Sequence, residues 1–274
     1  MTATATGFAL DSTWRVLQEA CFIVGLSIKN ASPVRLGENS VYQLHDAMIV
    51  IRISRSAKTA CKEVDTAKWL ASHNFPAARL ADLCAQPLVV YGFSVTFWEL
   101  ITASSEPVTS MDLGRMLRML HSLPEPTQFR LPRFSPLSKV VAHLRRLPAN
   151  MQGSKDVKIL RARHHEIKRK FARLQFALPC GPIHGDAHVG NLIRSTNGEI
   201  KLIDFEDFSH GPREWDVSTE SIRHQKMSGR PAGDYRDYTT AYGFDPLDWS
   251  GFPILRAARE LNMATWVIQQ TSRS

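Results

Sequence analysis

The stretch from Ile183 to Glu206 reads IHGDAHVGNLIRSTNGEIKLIDFE, and the rest of the chain is interpreted around it. It contains Asp186, then Asn191 five residues later, and Asp204 thirteen residues after that. The apolar run Ile200 to Phe205 predicts a buried strand that places Asp204 at its end. A carboxylate there is costly unless a cation or a proton donor neutralises it. The pattern therefore predicts a site that holds a divalent metal ion and phosphate.

The size and composition are those of an ordinary globular protein. The chain has 274 residues, of which 43% are hydrophobic, enough for one large domain or two lobes. No apolar run approaches the roughly 18 to 20 residues that a membrane span needs, and the start MTATATGFALDSTW lacks the features of a signal peptide. We therefore expect a cytoplasmic protein. The four cysteines lack metal-ligand spacing and are expected to be reduced core residues.

The net charge of +8 is unevenly distributed along the chain. Residues 139–173 are strongly basic, whereas residues 199–248 tilt acidic. Within the basic segment Leu160, Ile167, Phe171 and Leu174 recur at helical spacing, which predicts an amphipathic helix with a cationic face in solvent. A nucleic-acid-binding surface is the alternative, although no aromatic residues alternate with these charges as single-strand binding would require.

Strand and helix patterns alternate in the first hundred residues, and helical patterns dominate afterwards. This distribution predicts an N-terminal lobe at residues 1–102 and a C-terminal lobe at residues 103–274. A turn with a single glycine, Val34 to Tyr42, lies between the first helical pattern and the predicted strands. The predicted strands are Ser40–Leu44, Met48–Ile53, Pro87–Tyr91 and Ser94–Leu100, and the clearest predicted helices are Ala57–His73, Met111–His121, Trp215–Ile222 and Ile254–Gln270.

Phosphoryl transfer suits the side chains of the central stretch. It needs a carboxylate that orients a hydroxyl and accepts its proton, metal ligands, and cations on the phosphates. The spacing from Asp186 to Asn191 equals that between the aspartate and asparagine of the protein-kinase catalytic loop. Asp204 then opens Asp-Phe-Glu, where kinases have Asp-Phe-Gly. Oxygen ligands of this kind suit Mg²⁺.

The two central motifs, His184-Gly-Asp-Ala-His-Val-Gly-Asn191 and Ile203-Asp-Phe-Glu206, resemble the signature of the aminoglycoside phosphotransferase and choline kinase superfamily. The resemblance extends to other segments: Leu36–Leu44, Phe97–Ile101, Gly114–Leu123 and Gly211–Asp216. It implies an α+β, bilobal, protein-kinase-like fold, with a small antiparallel-sheet N-terminal lobe and a larger, mainly helical C-terminal lobe.

The resemblance also implies roles for individual residues. Asp186 corresponds to the catalytic base, and Asn191 and Asp204 correspond to Mg²⁺ ligands. The strand cation is Arg52, where the best-known members have lysine, with Lys58 and Lys62 as alternatives. The remaining nucleotide-binding positions are Glu63 as the partner of that cation, Gly37 and Asn39 in the loop that covers the nucleotide, and Glu99 and Ile101 in the hinge that meets the adenine.

The implied activity is an ATP-dependent, or GTP-dependent, phosphotransferase acting on a hydroxyl of a small molecule. Acidic residues of the C-terminal half would suit a polycationic aminoglycoside, whereas the basic segment would suit a sugar, a nucleoside-like compound or a macrolide. Two other classes stay open: a kinase-like nucleotide-binding module without turnover, and a nucleic-acid-binding protein. The predicted acceptor-contacting residues are His188, Glu206, Asp207 and Glu220.

Overall fold

Helices and strands are both abundant in the computed structural model, which describes residues 5–36, 39–226 and 232–271. The helices are α1 (Ala5–Ile23), α2 (Ala57–Ser72), α3 (Ser110–Ser122), α4 (Ser138–Arg145), α5 (Ala149–Gln152), α6 (Lys155–Phe171), α7 (Glu214–Lys226), α8 (Ala232–Tyr242) and α9 (Phe252–Thr271). The strands are β1 (Ala31–Arg35), β2 (Asn39–Leu44), β3 (Ile49–Ser54), β4 (Leu88–Val90), β5 (Phe93–Glu99), β6 (Cys180–Ile183), β7 (Leu192–Arg194), β8 (Ile200–Leu202) and β9 (Ser209–Pro212). The α+β class is confirmed.

The chain forms two compact units. The first unit contains residues 1–108, 126–131 and 189–208, and the second contains residues 109–125, 132–188 and 209–274. The hairpin of β7 and β8 thus belongs to the first unit although it follows β6 in the chain. The division into functional lobes at residues 1–102 and 103–274 stays a prediction.

The first unit is built on a five-stranded antiparallel sheet in the order β1-β2-β3-β5-β4. Side chains of a strand alternate between the two faces of the sheet. Ile49, Ile51 and Ile53 of β3 are therefore buried on one face, in the core cluster that includes residues of α1. Arg52 lies on the opposite face of β3, in the register opposite Val41 and Thr96.

The sequence placed β2, β3, α2 and β5 within one or two residues of their observed bounds. It missed β1, whose residues contain Pro33 and were interpreted as leading into a turn. Proline is tolerated there because β1 is an edge strand, and its register shifts between Pro33 and Arg35. The prediction of a strand from Ile200 to Phe205 was wrong at its end, since β8 stops at Leu202.

In the second unit, α3 buries one face, as the sequence predicted. Leu113, Met116, Leu117 and Leu120 are at most 4% exposed. The helix begins with a capping box, in which the Thr109 hydroxyl accepts from the Asp112 amide while the Asp112 carboxylate accepts from the Thr109 amide. This cap fixes where the chain leaves the polar connection after β5 and becomes helical.

The basic segment forms α4, α5 and α6, and α6 packs on α9. Val157 and Ile167 of α6 are buried, while Leu160 and Phe171 are partly buried in the same cluster. The predicted amphipathic helix is thus confirmed, although Leu174 lies beyond its end. Part of the charge is neutralised locally, because Glu166 contacts both Arg163 and Lys170.

The structure bears on the predictions about membrane spans and cysteines. In the described parts of the chain, no helix combines the length and the apolar character needed to span a membrane. Cys21 is a buried core residue as expected, but Cys61 and Cys180 are exposed and Cys84 is partly exposed. Cys61 lies on the exposed side of α2 and Cys180 is the exposed first residue of β6, so neither enters the core.

The close packing of α3 on α8 can be tested at Gly114. A Cβ atom at this position would lie 2.6 Å from the backbone oxygen of Tyr238, so the helices must separate to admit a methyl group. We expect Gly114→Ala to lower the free energy of unfolding by about 1–3 kcal/mol. The measurement is denaturant unfolding.

The matched control is Gly233→Ala in α8, where an added Cβ has no neighbour within 4 Å. This change should leave stability unchanged or raise it by up to about 1 kcal/mol through helix propensity. Equal stability of the two variants would contradict the tight α3–α8 contact.

Candidate active site

The first unit gathers three carboxylates around the Arg52 guanidinium. Arg52 Nη2 lies 3.0 Å from Glu63 Oε1 and 3.7 Å from Glu206 Oε2, and Nη1 lies 3.2 Å from Asp204 Oδ1. Only 15% of the Arg52 side chain is exposed. Burial acts to lower the pKa of Arg52, but the three carboxylates outweigh it and raise the pKa above its ordinary value. The guanidinium therefore stays charged.

Glu63 is placed by α2, which begins at a cap where the Ser56 hydroxyl accepts a hydrogen bond from the Thr59 amide. The Glu63 side chain is 3% exposed. Burial raises the pKa of Glu63 to about 7, although the Arg52 charge acts in the opposite direction. The distance to Arg52 is that of an ion pair, but among the described residues Glu63 Oε1 has no partner in hydrogen-bond geometry. The 3.0 Å distance to Arg52 corresponds to the ionised form of Glu63.

Asp204 lies two residues beyond β8, at a backbone φ of 65° that few residues other than glycine adopt. Its neighbour Phe205 is buried and packs edge-on against Trp98 and Phe208, with ring centroids 5.7 and 5.8 Å apart. Phe208 in turn contacts Trp69 of α2 at 6.3 Å. This aromatic cluster fixes the backbone that presents Asp204 to Arg52.

Asn191 adjoins Asp204 through the backbone. It ends the short 3₁₀ helix Val189–Asn191, and its carbonyl accepts a hydrogen bond of 3.0 Å from the Ile203 amide. In the described parts of the chain no group of three or more His, Cys, Asp or Glu residues could hold a metal ion alone. One carboxylate and one amide oxygen fit Mg²⁺, which commonly uses few protein ligands together with water and substrate phosphates.

Lys62 holds the segment that follows Asp204. Its ammonium donates to the backbone oxygen of Glu206 and, at 3.1 Å, to that of Phe208. Lys58 is exposed at the surface of α2. Lys62 is thus engaged by backbone carbonyls. Arg52 is the cation beside Asp204.

The predicted nucleotide-covering loop is represented by Asn39, since Gly37 lies outside the described residues. The Asn39 side-chain amide donates to Glu206 Oε2 at 2.9 Å. Glu206 therefore contacts both Arg52 and Asn39 within the first unit. Its predicted contact with the acceptor stays a prediction.

The predicted hinge follows β5. The Glu99 amide donates to the Arg79 carbonyl at 2.9 Å, and the Leu100 amide donates to the Met48 carbonyl at 2.8 Å. Glu99 and Ile101 line a cavity of about 180 Å³ together with Thr102 and residues of the turn between β7 and β8. Because two hinge amides are already used within the protein, nucleotide contacts in this segment would fall on the remaining backbone groups.

Asp186 belongs to the second unit and follows β6 in a tight loop. Gly185 has a φ of 87°, a conformation that glycine adopts without strain. The Asp216 carboxylate accepts hydrogen bonds from the backbone amides of His184 and Gly185 at 2.7 and 2.9 Å. Trp215 Nε1 donates to the Gly185 carbonyl at 2.7 Å. These bonds fix the loop while 54% of the Asp186 side chain is exposed.

Two neighbours influence the acidity of Asp186. His188 Nε2 lies 3.7 Å from Asp186 Oδ2, longer than an ordinary hydrogen bond. This polar contact with His188 is the main cause that lowers the pKa of Asp186 to about 2, while burial opposes it and the Arg259 charge adds to it. Asp186 is therefore ionised at neutral pH.

The loop support from Asp216 and His121 was not predicted from the sequence. Asp216 is fully buried, and its Oδ2 lies 3.2 Å from His121 Nε2. Burial acts to raise the pKa of Asp216, but His121 and the loop amides hold it below its ordinary value. The available signal was an aspartate between Trp215 and Val217, two apolar residues, because such a carboxylate needs buried partners.

The other predicted acceptor residues are differently placed. Glu220 is 1% exposed, and its Oε1 accepts a hydrogen bond of 2.9 Å from the Ser110 hydroxyl. Asp207 is half-buried in the first unit, and His188 lies beside Asp186 in the second. Burial of Glu220 favours a structural role for it, and the acceptor contacts of all these residues stay predictions.

The fold is a protein-kinase-like fold, and the family is shown by the sequence. Residues 31–252 match the model of APH, the phosphotransferase enzyme family. The chain belongs to this family. No curated protein matches the sequence significantly.

Solved structures share the fold at low sequence identity. The amicoumacin kinase hAmiN, in complex with AMP-PNP, Ca²⁺ and Ami, has a TM-score of 0.71 at 17% identity, covering 94% of this chain and 86% of that one. Spectinomycin phosphotransferase APH(9)-Ia, with ADP and spectinomycin, has a TM-score of 0.68 at 15% identity, covering 94% and 89%. Choline kinase LicA from Streptococcus pneumoniae has a TM-score of 0.63 at 14% identity, covering 95% and 91%. The likeness confirms the predicted protein-kinase-like fold.

The support that Lys62 gives to the Asp204 segment can be tested by Lys62→Met. The change keeps the length of the side chain but leaves two backbone carbonyls without their ammonium partner. We expect a loss of about 1–3 kcal/mol in the free energy of unfolding. Lys58→Met, on the same helix, should change stability by less than about 0.5 kcal/mol. Indistinguishable thermal unfolding of the two variants would show that the Lys62 contacts contribute nothing.

Proposed function

We propose that the protein is a kinase that transfers the γ-phosphoryl group of ATP, or of GTP, to a hydroxyl of a small molecule. The observation that carries this proposal is the Arg52 guanidinium, 3.0 Å from Glu63 and 3.2 Å from Asp204. Binding of a nucleoside triphosphate uses a cation on the phosphates beside a carboxylate that binds the metal ion. Family membership supports the same reaction.

In this proposal the first unit binds the phosphates. Arg52 contacts phosphate oxygens, and Glu63 fixes the orientation of its guanidinium. Arginine can grip a phosphate through two donors, so it replaces the usual lysine with a different geometry. Asn191 and Asp204 would hold Mg²⁺, which supplies charge neutralisation at the β- and γ-phosphates.

Asp186 acts on the acceptor. Because its pKa is lowered to about 2, the carboxylate is ionised and can accept a hydrogen bond from the acceptor hydroxyl. It receives the hydroxyl proton as the phosphoryl group is transferred. The loop bonds from Asp216 hold it for that role. His188, 3.7 Å away, would contact the acceptor or adjust the acidity of Asp186.

The acceptor that we propose is a hydroxyl-bearing antibiotic or a similarly small alcohol. The structural neighbours include kinases of amicoumacin, spectinomycin and choline by name. An acidic cleft for a polycationic aminoglycoside receives limited support, because Glu214, Asp216 and Glu220 are at most 1% exposed. We therefore propose a neutral or weakly charged acceptor equally with a polycationic aminoglycoside.

The test is a nucleotide-consumption screen with Mg²⁺ across aminoglycosides, macrolides, peptide antibiotics, choline, amino acids and sugars. We expect acceptor-dependent consumption of ATP or GTP and a phosphorylated product by mass spectrometry. Chelation of divalent metal should abolish the turnover. Nucleotide binding without turnover across the whole screen would instead support the binding-module alternative.

With an acceptor in hand, Asp186→Ala should lower turnover by a factor on the order of 10² to 10⁴ while nucleotide affinity is kept. The matched control is Asp82→Ala, which removes an exposed carboxylate on another segment of the chain. It should leave turnover unchanged. Full turnover by Asp186→Ala would refute the assignment of the base.

A further inference from the structure

The second unit contains a cavity that the proposed reaction does not use. Its volume is about 290 Å³, and residues from α3, α8 and the segments preceding β6 and α7 line it. Its lining includes Arg118, His121, Leu178, Arg213, Tyr242 and Phe244. None of them belongs to the groups proposed for phosphate binding or proton transfer.

Two guanidinium groups face this cavity beside glycines. A Cβ atom added to Gly243 would lie 3.3 Å from Arg118 Nη1, and one added to Gly181 would lie 3.3 Å from Arg213 Nη2. Both guanidiniums thus lie close against backbone that carries no side chain. Arg213 Nε is buried and, among the described residues, has no hydrogen-bond partner. The cavity therefore carries two positive charges in its lining.

The nearby carboxylates are engaged by other groups. Asp216 is engaged by His121 Nε2 and by the amides of His184 and Gly185. Glu214 is buried, and its Oε1 accepts a hydrogen bond of 2.7 Å from the Leu178 amide. Within the described residues, neither acid lies within 4.0 Å of a side-chain nitrogen of Arg118 or Arg213. The two guanidiniums are therefore not held in ion pairs by these acids, although Glu214 Oε2 is itself buried and has no hydrogen-bond partner among the described residues.

The remaining walls are apolar and aromatic. Leu178, Tyr242 and Phe244 contribute them, and the Tyr242 ring packs edge-on against His121 with centroids 5.6 Å apart. The Tyr242 hydroxyl is already in a hydrogen bond of 2.8 Å with His121 Nδ1, so this wall offers mainly its ring. Small-molecule sites commonly combine such apolar walls with a few charged groups that fix orientation.

We propose that this cavity binds a small organic anion, in which one carboxylate or phosphate group is attached to a flat apolar body. Arg118 and Arg213 bind the oxyanion, for which the planar guanidinium is well suited. Leu178, Tyr242 and Phe244 contact the apolar body. The site is separate from the proposed transfer chemistry and does not depend on it.

The experiment is isothermal titration of the full-length protein with benzoate and with phenyl phosphate. Inorganic phosphate tests the need for the apolar body, and benzamidine tests the need for negative charge. We expect at least one of the two aromatic anions to bind at least about tenfold more tightly than inorganic phosphate and benzamidine. The tighter of the two identifies carboxylate or phosphate ester as the natural head group.

Variants locate the site. Arg118→Gln and Arg213→Gln should each weaken binding by about tenfold or more, because each removes a charge-assisted contact. Arg118 is exposed on α3, so its variant tests the proposal even if Arg213→Gln fails to fold. The matched control is Arg236→Gln, an exposed arginine of α8 that does not line the cavity, and it should bind as the natural protein does.

Arg52→Gln distinguishes this cavity from the proposed nucleotide site and should also leave binding unchanged. Loss of binding in Arg52→Gln with full binding in Arg118→Gln would place the anion at the nucleotide site and overturn the proposal. Equal affinity for benzamidine and benzoate, or no binding of either aromatic anion at millimolar concentration, would overturn it as well. Failure of the acceptor screen would bear on the proposed kinase reaction and not on this site.

Discussion

The arrangement of the first unit depends on one buried cation. Arg52 is 15% exposed and lies on the face of β3 opposite the isoleucines of the core. A charge in this position is stable only if its partners are fixed, and removing one partner of a buried ion pair commonly costs about 3–5 kcal/mol. Glu63 comes from α2, and Asp204 and Glu206 follow β8. Arg52 thus ties a strand, a helix and a loop together.

In the second unit, the loop that carries Asp186 depends on a different buried charge. Asp216 fixes the amides of the loop that carries Asp186, and His121 balances Asp216 from α3. Asp204 and Asp186 each follow a short strand. Asp204 itself has a φ of 65°, and Gly185, the residue before Asp186, has a φ of 87°. Such conformations persist where the surroundings determine them, and here hydrogen bonds and aromatic packing do so.

Much of the framework could be predicted from local patterns. Because side chains alternate along a strand, Arg52 lies on the face away from Ile49, Ile51 and Ile53, and the helical spacing of α3 identifies its buried side. The Asp-Asn-Asp spacing indicates the reaction class. The short strands β6, β7 and β9 and the end of β8 could not be predicted, because these strands are only three or four residues long and take their conformation from their partners.

The role of Lys62 and the link between His121 and Asp216 were also beyond the sequence. Each joins residues that are 95 to 146 positions apart, so no local period reveals them. Lys62 illustrates the difficulty, since a lysine one position before Glu63 can serve either phosphate or backbone. The carbonyls of Glu206 and Phe208, which accept from its ammonium, identify the backbone as its partner.

The most direct test of the account is a double-mutant cycle on nucleotide affinity. AMP-PNP with Mg²⁺ is titrated into the natural protein, Glu63→Gln, Arg52→Gln and the double variant. If Glu63 acts by orienting Arg52, Glu63→Gln should weaken binding about tenfold in the natural background and less than about twofold when Arg52 is absent. Equal and additive losses in both backgrounds would contradict the central role of the Arg52 ion pair.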